Sequence, residues 1–148
     1  MKKLAMAIMI VSIALTPVYA TEKWSEKKLN WVMTSVHDDQ VKCWAYYGLV
    51  EAFARISDGI DVADQYKPIA DAMRQRAKLT GKLIQIKDEA TLAKFKLVLK
   101  SFKKLLDNNP SNYPLLIEKH ADSCKQIFEN TESKIDYYAN QYEKKFEN

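Results

Sequence analysis

Two cysteines, two histidines and a cluster of lysines are the residues of this chain whose chemistry could reach beyond packing. Cys43 and Cys124 stand 81 positions apart, and they are the only cysteines. Neither belongs to a C-x-x-C pair and neither has an activating base beside it, so nothing marks a reactive thiol. An even pair in an exported chain predicts one disulfide. By the chain-entropy argument a loop of that length contributes about 4–5 kcal/mol before native strain is subtracted.

His37 precedes Asp38 and Asp39, and Asp122 follows two residues after His120. Imidazole and carboxylate both bind metals, but His-Asp-Asp has no recurring ligand spacing on a helix, and nothing supplies a third and fourth ligand. The expectation is an exposed His37 beside an acidic, helix-capping turn, with no metal site. His120 and Met73 could ligate haem across a bundle. Met73 fits a core stripe better and His120 a boundary position, and no C-x-x-C-H attachment motif occurs. G-x-S-x-G, H-E-x-x-H and a phosphate-binding glycine loop are also missing. No catalytic residue is assigned and no cofactor is expected.

Lys82, Lys87, Lys94, Lys96, Lys100, Lys103 and Lys104 crowd one stretch of the chain. Lys96, Lys100, Lys103 and Lys104 fall along one helical face, which is either simply solvated or a docking strip for an acidic partner or anionic membrane surface. The strip has no arginine, which disfavours bidentate recognition of phosphate or carboxylate. Aromatic residues cluster twice, as Trp44, Tyr46 and Tyr47 after Cys43 and as Tyr137, Tyr138 and Tyr142 near the end. Consecutive helical residues point about 100° apart, so Trp44, Tyr46 and Tyr47 cannot all face one core. Tyr46, Tyr47, Tyr137 and Tyr138, with the four lysines, form the candidate interaction surface. The alternative is that the rings fill a bundle core with their hydroxyls at its edge.

The elements that position these groups read as helices throughout. No stretch sustains a period of two, and hairpin dipeptides such as Asn-Gly are absent. A first helix is expected from about Glu22 to Val36, with Trp24, Trp31, Val32 and Val36 on one side. Asp38 and Asp39 suit the start of a second, running to about Ser57 and apolar nearly all round, hence central. Glu51 and Arg55 form an i,i+4 pair on its exposed edge. Asp58-Gly59 closes that helix and Asp61 opens a third, with a kink or turn at Pro68 and an end at Thr80-Gly81. From Asp88, the residues Leu92, Phe95, Leu99, Phe102 and Leu106 step by three and four, and Asp107-Asn108-Asn109-Pro110 stops the run. Ser111 or Asn112 caps the next helix, with Pro114 in its first turn and Ile117, Ala121, Cys124 and Phe128 on one face. Ile135, Ala139, Tyr142 and Phe146 define the last. The prediction is an all-α chain, a compact bundle of five to six helices with one long-range disulfide.

Residues 1–20 read differently. Lys2 and Lys3 precede an apolar run from Leu4 to Leu15, and Val18-Tyr19-Ala20 supplies small residues for cleavage. That is a secretory signal peptide, too short for the roughly 20 residues of a membrane span. Without a lipobox cysteine near Ala20, no stable membrane anchor is expected. The working unit is then a single helical domain over 21–148, periplasmic or secreted, of a size that buries its own core. Lys2 and Lys3 belong to the leader, so the exported part has 21 basic against 19 acidic residues, a net of about +2. Such a balance does not suit nucleic-acid binding.

In its signal peptide, helicity and two distant cysteines the chain loosely resembles exported helical immunity proteins of secreted toxins and small single-disulfide periplasmic acid chaperones. The resemblance implies no site residues. The expected function is non-catalytic binding of another periplasmic or envelope protein, as an inhibitor or immunity-type protein or as a chaperone-like accessory factor. A bundle carrying haem or a small apolar ligand is the alternative, and an enzyme with a dispersed site ranks third.

Overall fold

Helical periodicity in the sequence becomes five α-helices and one short 3₁₀ turn in a computed structural model that describes residues 24–147. The elements are α1 (Glu26–Ser57), α2 (Ile60–Leu83), α3 (Asp88–Leu105), the 3₁₀ turn Pro110–Asn112, α4 (Tyr113–Glu129) and α5 (Thr131–Phe146). Among the described residues there is no strand, and no helix is long and apolar enough to cross a membrane. The expected leader lies outside the described residues.

The 32-residue α1 is the axis of the fold, and each of the other four helices packs on it. It buries Val32, Val36, Val41, Ala45, Val50 and Ala54 on several sides, as a helix with little polar surface must. The break expected at Asp38-Asp39 does not occur: α1 passes straight through both residues. The reason is tertiary. Asp38 pairs with Lys94 of α3, and Asp39 accepts a hydrogen bond of 2.8 Å from the Tyr138 hydroxyl of α5. Partners on neighbouring helices outweigh the few tenths of a kcal/mol by which Asp disfavours a helix interior.

Local chemistry sets most other boundaries. Ser25 caps α1 by accepting from the Lys28 N–H. Gly59, at φ 91°, makes the turn into α2 that a side chain would strain. Helix α2 runs through Pro68 and continues past the expected end at Thr80-Gly81 to Leu83. Gly81 is there for packing: an added Cβ would stand 3.1 Å from Thr91 Oγ1 and 3.3 Å from His37 Nε2. Helix α3 starts at Asp88 as expected, and its seam buries Phe102 and Leu106 while Leu92 is left exposed. Asn112 stands at the N-cap of α4 as expected, though without a side-chain capping bond, and Asn109 caps the preceding 3₁₀ turn by accepting from the Ser111 N–H.

The disulfide forms between Cys43 of α1 and Cys124 of α4, with the Cα atoms 5.2 Å apart and both residues buried. Tyr46, Tyr47, Met73, Phe102, Leu116 and Ile127 surround it in one core. Helix α5 sets Ile135 and Tyr138 against the edge of this core and is held to the start of α1 as well. Trp31 contacts the rings of Tyr138, Tyr142 and Phe146, and Lys28 pairs with Glu143. On the other side, Arg76 of α2 donates to the Phe128 carbonyl at 2.6 Å, near the end of α4 where carbonyls lack intrahelical donors.

Candidate interaction surface

Three groups of residues expected to matter are placed very differently. His37, expected on the surface, is completely buried. Its Nε2 lies 3.1 Å from Thr91 Oγ1, and its Nδ1 is 3.5 Å from Asp38 Oδ1. Burial pushes the Asp38 carboxyl up, but the His37 imidazole beside it, the hydrogen bond from Lys94 and the Lys94 charge bring it below its ordinary value. Thr, His and Asp in sequence suggest a proton-transfer chain, yet Thr91 is 1% exposed and His37 0%. With Gly81 of α2 packed against both side chains, the cluster joins α1, α2 and α3. The signal for its burial was the step of four that aligns His37 with Val41 and Ala45 on α1.

Met73 is in the core, and the His120 ring lies between Tyr46 and Phe102, with centroids 6.4 and 4.8 Å away. Burial and the charges of Lys42 and Lys119 push the His120 imidazole below its ordinary pKa. Among the described residues no group of three or more His, Cys, Asp or Glu side chains could hold a metal ion.

The tyrosines do not make a common surface. Tyr46 and Tyr47 are 4% and 7% exposed, and their rings pack against each other in the core. Desolvation raises both phenols, Tyr46 to about 12. The expectation of Tyr46 and Tyr47 as surface residues is therefore corrected: they lie on the side of α1 that meets the disulfide and α4. Tyr138 turns inward to Asp39, and burial together with that carboxylate raises its phenol. Only Tyr137 of the four stands out from the surface.

The lysines are where the periodicity placed them. Lys96, Lys100, Lys103 and Lys104 are all exposed on α3, and none of them forms an ion pair among the described residues. Lys94, one step round the helix, is instead turned to Asp38. Helices α3 and α5 each pack mainly on α1.

What the strip does adjoin is a hollow of about 410 Å³ that was not apparent in the sequence. Leu49, Ala52 and Phe53 of α1, Leu106, Asn108, Asn109 and Pro110 line it, and Lys103 stands in its wall. Leu49 and Leu106 are buried, so the floor is apolar. The wall is built by the end of α3. Asp107 N–H donates to the Lys104 carbonyl at 3.0 Å and Asn108 N–H to the Lys103 carbonyl at 2.9 Å, the paired bonds of a Schellman ending. Asp107 and Asn108 both have φ of 56°, a conformation that Asn and Asp tolerate better than most residues. Asn112 Nδ2 donates to the Leu106 carbonyl and ties the turn to α4. A smaller hollow of about 140 Å³ shares Phe53 and Pro110 and extends the apolar surface to Ile56, which is 79% exposed. Sequence reasoning took Asp107–Pro110 as a stop signal; the hollow arises from bringing Leu49–Phe53 opposite it, a pairing no local pattern encodes.

The chain matches no protein-family model, no curated protein and no solved structure.

Proposed function

We propose that this chain is a small exported protein that binds another periplasmic or envelope protein and performs no chemistry of its own. Its role would be that of an inhibitor or immunity-type protein, or of a chaperone-like accessory factor. The leader pattern at residues 1–20 and the buried Cys43–Cys124 disulfide support export. The single observation that carries the binding reading is the exposed α3 strip of Lys96, Lys100, Lys103 and Lys104, unpaired beside an apolar hollow. Unpaired cations bordering apolar surface combine long-range attraction with contact area, the two ingredients of a protein-docking face. The Thr91–His37 pair is closed to solvent, which argues against a dispersed site built on it.

The test is capture of envelope proteins on the wild-type chain and on a Lys96→Glu, Lys100→Glu, Lys103→Glu variant. A defined partner retained by the first and lost by the second, at equal helicity, supports docking through α3. Equal retention would remove the strip from the function. A Soret band in the purified protein would instead favour the carrier reading.

A further inference from the structure

We propose that the hollow beside Lys103 receives a single apolar side chain of an acidic polypeptide segment, whose carboxylates rest on Lys96, Lys100, Lys103 and Lys104. This rests on the docking role proposed above and names the chemistry of the partner at that site.

Three observations converge. The floor is apolar and preformed, with Leu49 and Leu106 buried beneath an opening bordered by Ala52 and Phe53. The Schellman bonds of Asp107 and Asn108, and the bond from Asn112 to the Leu106 carbonyl, fix the opposite wall before any partner arrives. A site already ordered loses little entropy on binding. Lys103 belongs both to that wall and to the strip, so an apolar anchor seated there would carry its neighbouring residues over Lys100 and Lys104, on the same exposed face. Between Lys96 and Pro110 the one carboxylate in the sequence is Asp107, and four lysines outweigh it. Without arginine the strip offers separate, flexibly held point charges rather than planar forks. Anchor in a pocket with charges around it is the usual division of labour in a docking site.

The experiment uses the oxidised protein and two fluorescein-labelled glutamate-rich decapeptides, one with a central Trp and one with a central Gly, read by fluorescence anisotropy at low salt. The Trp peptide should bind about tenfold or more tightly than the Gly peptide, the effect of burying one large apolar side chain. Ala52→Trp, at an exposed position lining the hollow, should abolish that advantage and leave the weaker binding shared by both peptides. The Lys96→Glu, Lys100→Glu, Lys103→Glu variant should abolish binding of both. If the peptides bind equally, need the lysines and ignore Ala52→Trp, the anchor site is overturned and docking through the strip stands. If neither binds the wild-type protein, both are overturned. If Trp-peptide binding survives the lysine changes but not Ala52→Trp, the hollow takes apolar ligands of any charge and the acidic partner is overturned.

Discussion

The Tyr138 hydroxyl donates to Asp39 Oδ2 at 2.8 Å, joining the last helix to the middle of the first across 99 residues of sequence. Tyr138 also meets the Trp31 ring edge-on at 6.0 Å, so one residue provides both polar and apolar contact for α5. The same pairing explains why Asp39 sits inside a helix rather than at the start of one. Removing the hydroxyl with Tyr138→Phe should cost about 1 kcal/mol, and Asp39→Ala somewhat more because it leaves the phenol without its acceptor. In a double-mutant cycle by urea unfolding the two changes should be clearly less than additive. Strict additivity would show that the bond contributes nothing.

Two glycines inside helices should respond to alanine with opposite signs. Gly48 has open space where a Cβ would go, so Gly48→Ala should stabilise by about 1 kcal/mol through helix propensity. Gly81 faces Thr91 and His37, both fully packed and hydrogen-bonded to each other, so neither yields readily. Overpacking there should outweigh the propensity gain and destabilise by about 1–2 kcal/mol. Thermal unfolding of both variants checks the pair; stabilisation by Gly81→Ala would mean that α2 and α3 are not pressed together at this point.

The disulfide closes a loop of 81 residues between two buried positions. Replacing Cys43 and Cys124 together by Ala should therefore lower stability by about 4–5 kcal/mol, read as a shift of the urea midpoint. A loss under about 1 kcal/mol would show that α1 and α4 stay together without it and that the reduced chain is already constrained.

Acid should weaken the fold in two stages. The His120 imidazole is held below its ordinary pKa by burial and by the charges of Lys42 and Lys119, so the unfolded chain binds that proton first as pH falls. Its contribution is intact above about pH 6.5 and declines below it. Asp38 is likewise lowered, by the His37 imidazole beside it and the bond and charge of Lys94 against the opposing effect of burial, and adds a second loss below about pH 4. His120→Gln should flatten the first stage and Asp38→Asn the second in unfolding free energy measured against pH. Stability that rises on acidification from about pH 7 to about pH 5 would contradict the assignment to His120.

The helices were legible because their apolar residues recur at three and four and because Asp58-Gly59 and Asp107–Pro110 break the run with residues suited to left-handed or capping backbone. The disulfide was legible from the leader pattern and an even pair of cysteines. The same local grammar misplaced Asp38, Asp39 and His37, whose partners Lys94, Tyr138 and Thr91 come from helices far along the chain. It left open which of Trp44, Tyr46 and Tyr47 face inward. That depends on how many helices surround α1: with four packed on it, Tyr46 and Tyr47 are buried, while Trp44 stacks on Phe95 at 3.7 Å nearer the edge. The α3 lysines were placed correctly because a strip follows from one helix. The hollow beside them needed two.

Docking through the lysine face of α3 is tested most directly in the cell. A photo-crosslinking residue at position 100, in the full chain expressed from residue 1, should yield one discrete adduct with an envelope protein after illumination. The adduct should disappear when Lys96 and Lys103 are also changed to Glu, and should persist when the crosslinker is kept and only Lys82, outside the strip, is changed. No adduct at position 100, or an adduct indifferent to Lys96 and Lys103, would contradict it.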